Sequence, residues 1–210
     1  SSAQHAVVPE EGVVQSGGLR GMIHKASLSN ALERGRVGKA HFKDLAVIRN
    51  FYETRKGQPF WNDADAREML SLIENSWTQG LNPEDYHYTD LKNQLDGTRN
   101  ANLGDVELLL TDAAIRYGQD VSGMRIDPAE INQSREYWQQ SYTPESVLNL
   151  IAASHDPVER LEKMAPQHKL YKTLQNEMVR LSREDESFDH VLPMTFNGDH
   201  HFAPGEVSKD

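Results

Sequence analysis

Apolar residues recur at steps of three and four along most of this chain, the spacing that gathers side chains on one face of an α-helix. Phe42, Leu45, Ile48, Phe51 and Tyr52 form the first such stripe. The turn Gly57-Gln58-Pro59 ends it, and Phe60-Trp61 follows as an apolar plug. Asn62 or Asp63 is placed to cap a second helix, with Met69, Leu72, Ile73, Ser76 and Trp77 facing inward and Gly80 at its left-handed end. Pro83 suits the first position of a short helical turn, and Thr89 is placed to cap a helix that stops at Asp96-Gly97. Residues 105–121 give the clearest helix. Val106, Leu109, Leu110, Ala113, Tyr117 and Val121 share one side, and Leu108-Leu109-Leu110 implies burial over a wide arc. Thr143-Pro144 and Asp156-Pro157 are cap-plus-proline starts for helices over 145–153 and 158–164. A last helix, over 167–183, carries Leu170, Leu174, Met178 and Leu181 on one face. No segment shows the period-two alternation of a half-buried strand, and no internal repeat is visible. The pattern predicts an all-α fold: a compact multi-helix domain of seven or eight helices over residues 41–185.

The flanks read differently. In residues 1–40 Pro9, Gly12, Gly17, Gly18, Gly21, Gly35 and Gly38 interrupt any sustained stripe, so this stretch reads as a flexible, poorly ordered leader with room for a short helix near residues 28–34. Beyond Arg183 come the solvated run Glu184-Asp185-Glu186-Ser187 and the extended or turn-like Val191-Leu192-Pro193 and Ala203-Pro204-Gly205. Residues 186–210 read as a linker. The chain begins at Ser1 rather than Met, the mark of a processed or excised protein.

Charge and composition narrow the chemistry. Lys plus Arg number 22 against 32 Asp plus Glu, a net charge of −10 with no basic cluster; such a chain repels phosphate backbones, so nucleic acid is not an expected partner. No stretch approaches the ~20 consecutive apolar residues of a membrane-spanning helix. At 210 residues, with 37% hydrophobic and 26% charged, the chain is long enough to bury a core without staples. It contains no cysteine, which removes a thiol nucleophile, thiolate metal ligation and disulfides within the chain.

Nine histidines invite a metal reading, but His190, His200 and His201 lie in the linker and no histidine pair stands four apart on a helix, so neither metal nor other cofactor is expected. Glu145-Ser146 resembles the Glu-Ser pair of lytic transglycosylases, whose Glu is a general acid. Its place directly after Thr143-Pro144 is also where an acidic residue favours the helix dipole, and the dipole reading is preferred. Neither Gly-x-Ser-x-Gly nor Ser-x-x-Lys occurs, so no serine nucleophile is indicated. Trp61 and Trp77 read as core. Tyr137-Trp138, which no helical period explains, are candidates for an exposed binding platform.

Taken in order, several segments resemble the scaffold domain of the large bacterial L,D-transpeptidases. These are Phe51-Tyr52 with Gly57-Gln58-Pro59-Phe60-Trp61; residues 80–87 (Gly-Leu-Asn-Pro-Glu-Asp-Tyr-His); residues 107–113 (Glu-Leu-Leu-Leu-Thr-Asp-Ala) through Tyr117; Ser122-Gly123 with Ile126-Asp127-Pro128; and Pro166, Tyr171 and Leu174 leading to Leu192-Pro193 and Ala203-Pro204-Gly205. The similarity spans residues 41–205. It implies a helical scaffold that precedes a peptidoglycan-binding module, reached through 186–210, and a β-rich catalytic domain. Catalysis in that family uses a Cys in a Ser-His-Gly-Cys context, which this chain lacks, so no catalytic residue is assigned. The resemblance also implies a periplasmic location and a noncatalytic role in cell-wall cross-linking. The partners it implies are the parent's own catalytic and peptidoglycan-binding domains, with peptidoglycan itself or cell-wall synthesis proteins besides. Arg125 follows Ser122-Gly123 one residue later than the family's basic residue, and joins Tyr137 and Trp138 as the binding candidates. The alternative is a free-standing periplasmic module that binds peptidoglycan or a cell-wall synthesis partner through those aromatics.

Overall fold

The computed structural model describes residues 11–97, 101–123, 141–166 and 169–184. Among them eight α-helices occur: α1 (Glu11–Arg34), α2 (Leu45–Thr54), α3 (Asp63–Glu74), α4 (Tyr88–Asp96), α5 (Leu103–Ser122), α6 (Pro144–Ala152), α7 (Pro157–Glu162) and α8 (Lys169–Glu184). A two-residue antiparallel pair, β1 (Arg36–Val37) and β2 (Ala40–His41), joins α1 to α2. The 3-10 turns Asn75–Gln79 and Pro83–Tyr86 link α3 to α4. The described residues are thus all-α apart from one small hairpin, and no described helix is long and apolar enough to cross a membrane.

The fold is organised on α5. Every residue from Val106 to Ile115 is buried, whichever side it faces, so α5 is surrounded rather than laid on a surface. Leu108, Leu109, Leu110 and Ile115 are fully enclosed. Around α5 pack α1, α2, α4, α6, α7 and the Pro83–Tyr86 turn. The helix starts follow the expected chemistry. Asn62, Asn102, Thr143 and Asp156 each accept a backbone N–H from three residues on, and Pro144 and Pro157 stand at first positions where no N–H is needed. Gly80 ends the turn after α3 at φ 75, a left-handed conformation that costs glycine nothing.

Three features depart from the sequence pattern. Residues 11–34 form one continuous helix, and its second half belongs to the core: Leu28 and Ala31 are fully buried against α5. Its glycines fall in the first half, and in the second the approach is so close that a Cβ on Gly104 would lie 2.1 Å from the Ser27 carbonyl oxygen. Trp77 is 40% exposed while Trp61 is buried. The helix tightens to 3-10 after Glu74, advancing each residue by about 120° instead of 100° and carrying Trp77 off the buried face. Thr89 does not cap α4. His87 holds that position at φ 60, and the Thr89 hydroxyl donates to Glu84 (2.6 Å) instead.

Candidate functional site

Carboxylates spaced along α5 carry the polar chemistry of the interior. Glu107 and Thr111, four apart, share one face. The Glu107 Oε1 accepts from the Tyr52 hydroxyl (2.8 Å), the Trp61 N–H (3.2 Å) and the Phe60 N–H, while the Trp61 indole N–H donates to Thr111 Oγ1 (3.0 Å). One carboxylate therefore fastens α2 and the Phe60-Trp61 plug to α5. Its second oxygen, Oε2, lies 3.6 Å from His24 Nε2 on α1. Burial pushes the Glu107 carboxyl up to about 7, against the pull of its three donors, and burial lowers His24. It also raises the Tyr52 hydroxyl well above its ordinary value.

A second line follows at steps of four: Asp112, Arg116 and Asp120. Asp112 Oδ2 accepts from Arg116 Nε (2.7 Å) and pairs with His87 Nε2 (2.6 Å), and Arg116 also donates to the His41 carbonyl (3.0 Å). The hairpin and the start of α4 are thereby tied to α5. Tyr86 donates to Asp120 Oδ2 (2.6 Å); burial, then the neighbouring charge of Asp120, raises the phenol, and burial raises Asp120 in turn. These groups cross-tie elements. Among the described residues, no three His, Asp or Glu side chains are placed to hold a metal ion.

Two concave surfaces flank this interior. A cleft of about 610 Å³ runs between α3, the Asn75–Gln79 turn, α7 and α8, lined by Glu68, Tyr117, Asp156, Glu159, Glu162 and Lys172 among others. Burial first, and then Asp156 and Glu159, raise the Glu162 carboxyl. A smaller groove of about 270 Å³ lies between α2 and α6, lined by Phe51, Arg55, Glu145 and Leu148. There the Arg55 guanidinium sits over the rings of Phe51 and Phe60, at 5.5 and 5.0 Å from their centroids. On α8 the stripe predicted to face the core is turned outward: Leu174, Met178 and Leu181 are exposed, and Gln175, Val179 and Ser182 are the more covered residues.

The candidate binding residues Arg125, Tyr137 and Trp138 lie outside the described residues. Glu145 is exposed in the first turn of α6, where the Thr143 hydroxyl caps the helix by accepting the Ser146 N–H (3.2 Å); that is the dipole-favoured position read from the sequence. The residues that sequence reasoning passed over are Glu107, His24 and His87. One signal was available for Glu107: a carboxylate inside an apolar run, on a helix read as buried over a wide arc, has to find donors.

A family model described as a scaffold domain matches residues 46–178, from α2 into α8. No curated protein and no solved structure matches the chain.

Proposed function

The chain belongs to the scaffold-domain family, and from that premise we propose that it is the noncatalytic scaffold region of a periplasmic L,D-transpeptidase that cross-links peptidoglycan. The observation that carries the reading is that match, over a stretch, residues 46–178, that contains the transpeptidase-like segments from Phe51 to Leu174 in order. The geometry gives those segments a common purpose. Tyr52, Phe60 and Trp61 from the first meet Glu107 and Thr111 from the third, and Tyr86 and His87 from the second meet Asp120 and Asp112 on α5. What resembles the family is thus, among the described residues, what braces the bundle, and none of these described side chains is arranged as a nucleophile with a base beside it.

In this reading the thiol chemistry belongs to residues outside the chain, since the chain has no cysteine. The bundle holds the catalytic and peptidoglycan-binding domains of the parent in place, and Arg125, Tyr137 and Trp138 are its candidate contacts to glycan or to a partner. The test is the composition of purified cell wall from a strain lacking the gene. We expect the cross-links made by L,D-transpeptidases to fall and to return with the wild-type gene. Unchanged cross-linking, together with saturable binding of the purified chain to peptidoglycan that Trp138→Ala abolishes, would replace this reading with that of a free-standing binding module.

A further inference from the structure

The Glu107–His24 contact sets the carboxylate oxygen Oε2 opposite a buried imidazole nitrogen, too far for a hydrogen bond between them as placed. Glu107 Oε1 is occupied by three donors, so a proton on this carboxyl has to sit on Oε2. Across from Oε2, at 3.6 Å, His24 Nε2 is buried and has no hydrogen-bond partner. The Leu103 backbone favours the protonated imidazole, and with Nε2 unpartnered we assign that contact to Nδ1. A neutral ring donating from Nδ1 presents a bare lone pair at Nε2. Without a proton two acceptors oppose each other; with one proton the gap becomes an O–H···N hydrogen bond or an ion pair.

We propose that Glu107 and His24 hold a single proton between them, and that this shared proton seats α1 on α5. The location fits the purpose. His24 stands one turn before Ser27, whose hydroxyl accepts the Gly104 N–H (2.9 Å) and donates to Asn102 Oδ1 (2.8 Å), and before the buried Leu28. The two groups are therefore at the edge of the α1–α5 contact, where Met22 and Ile23 are already exposed. Among the described residues, the charges acting on the pair are these. Arg55, just past α2, favours the Glu107 anion and Asp63 of α3 favours the His24 cation. Tyr52 stays neutral, and Asp105 is engaged with Arg34 of α1. The inference holds whether or not the parent is a transpeptidase.

The consequence is a characteristic pH profile. When α1 lifts away, Glu107 and His24 return toward their ordinary values of 4.5 and 6.5. Between those two pH values the lifted state carries one proton, on His24, and the seated state also carries one, shared. Seating is then independent of pH in this window, because no proton is gained or lost. Removing either partner breaks the balance. In Glu107→Gln the amide donates to Nε2 and the seated pair carries no proton, so seating weakens as pH falls below 6.5. In His24→Gln the seated carboxyl keeps its raised value, so seating strengthens as pH falls through the same range.

Hydrogen exchange of residues 24–34 in the full 210-residue chain, corrected for intrinsic rates, tests this. From pH 6.5 to 5.0 we expect wild-type protection to change less than about twofold, Glu107→Gln to lose about tenfold and His24→Gln to gain about tenfold. Parallel profiles in all three chains, or a wild-type slope as steep as either variant's, overturn the proposal. Should a variant fail to fold, ¹⁵N spectra of the wild-type imidazoles decide the matter. His24 protonated at Nδ1, with a downfield shared proton that persists from pH 5.0 to 6.5, supports the proposal; a His24 that titrates as a free imidazole at its ordinary value overturns it.

Discussion

Gly104 marks how closely two backbones meet. A methyl group there would collide with Ser27 backbone rather than with a side chain able to turn away, so Gly104→Ala should cost at least the ~1–3 kcal/mol usual for overpacking. Urea unfolding of the two chains measures it, and equal midpoints would show that α1 and α5 stand further apart than described. His87 gives a second residue-scale expectation. Its ring is 11% exposed and pairs with the wholly buried Asp112, whose other oxygen, Oδ1, has no hydrogen-bond partner. His87→Ala leaves Arg116 as the one remaining donor and should cost about 3–5 kcal/mol, as broken buried pairs do. At this scale the sequence was only partly legible. The caps Asn62, Thr143 and Asp156 were readable because cap chemistry depends on neighbours a few residues away. His24 and His87 were not, because their partners stand 83 and 25 residues along the chain, and no local period encodes such a pairing.

The helices α1 and α8 bracket what hydrophobic patterning can tell at the level of elements. The stripe on α8 is the more regular of the two, yet Leu174 and Leu181 are about half exposed. The stripe on α1 is broken by glycines, yet Leu28 and Ala31 are fully buried. Periodicity reports that a helix has an apolar face; which body covers that face is decided by the whole fold. The expectation follows that Leu28→Ala should cost about 2–5 kcal/mol, the range for emptying a core site. Leu174→Ala should stay within about 0.5 kcal/mol, as surface changes do. Thermal or urea unfolding of both variants is the check, and a reversal of their order would exchange the roles assigned to the two helices. The placement of α5 was legible for the opposite reason. Apolar residues on several of its sides demand cover all round, and only the centre of a bundle supplies it.

At the scale of the molecule, α5 is a buried axis from which the buried Glu107 and Asp112 reach to α1, α2, the Phe60-Trp61 plug and the start of α4, while Asp120 at the exposed end holds the Pro83–Tyr86 turn and Arg116 holds the hairpin. Buried carboxylates held by donors from several elements fix those elements relative to one another, a property suited to a support. A support of this kind should turn over nothing itself. Incubated with a stem-peptide donor and acceptor, the purified chain should form no cross-linked product by mass spectrometry, and product formation would refute the noncatalytic reading. The central claim is that one enclosed helix organises the bundle and that α1 is part of it. Native-state hydrogen exchange across the whole chain tests this most directly. We predict that residues 106–121 of α5 exchange at the slowest, globally limited rate, that 28–34 of α1 come next, opening only when α1 lifts from α5, and that α8 exchanges faster than both. Residues 28–34 exchanging as fast as α8 while α5 stays protected would contradict it.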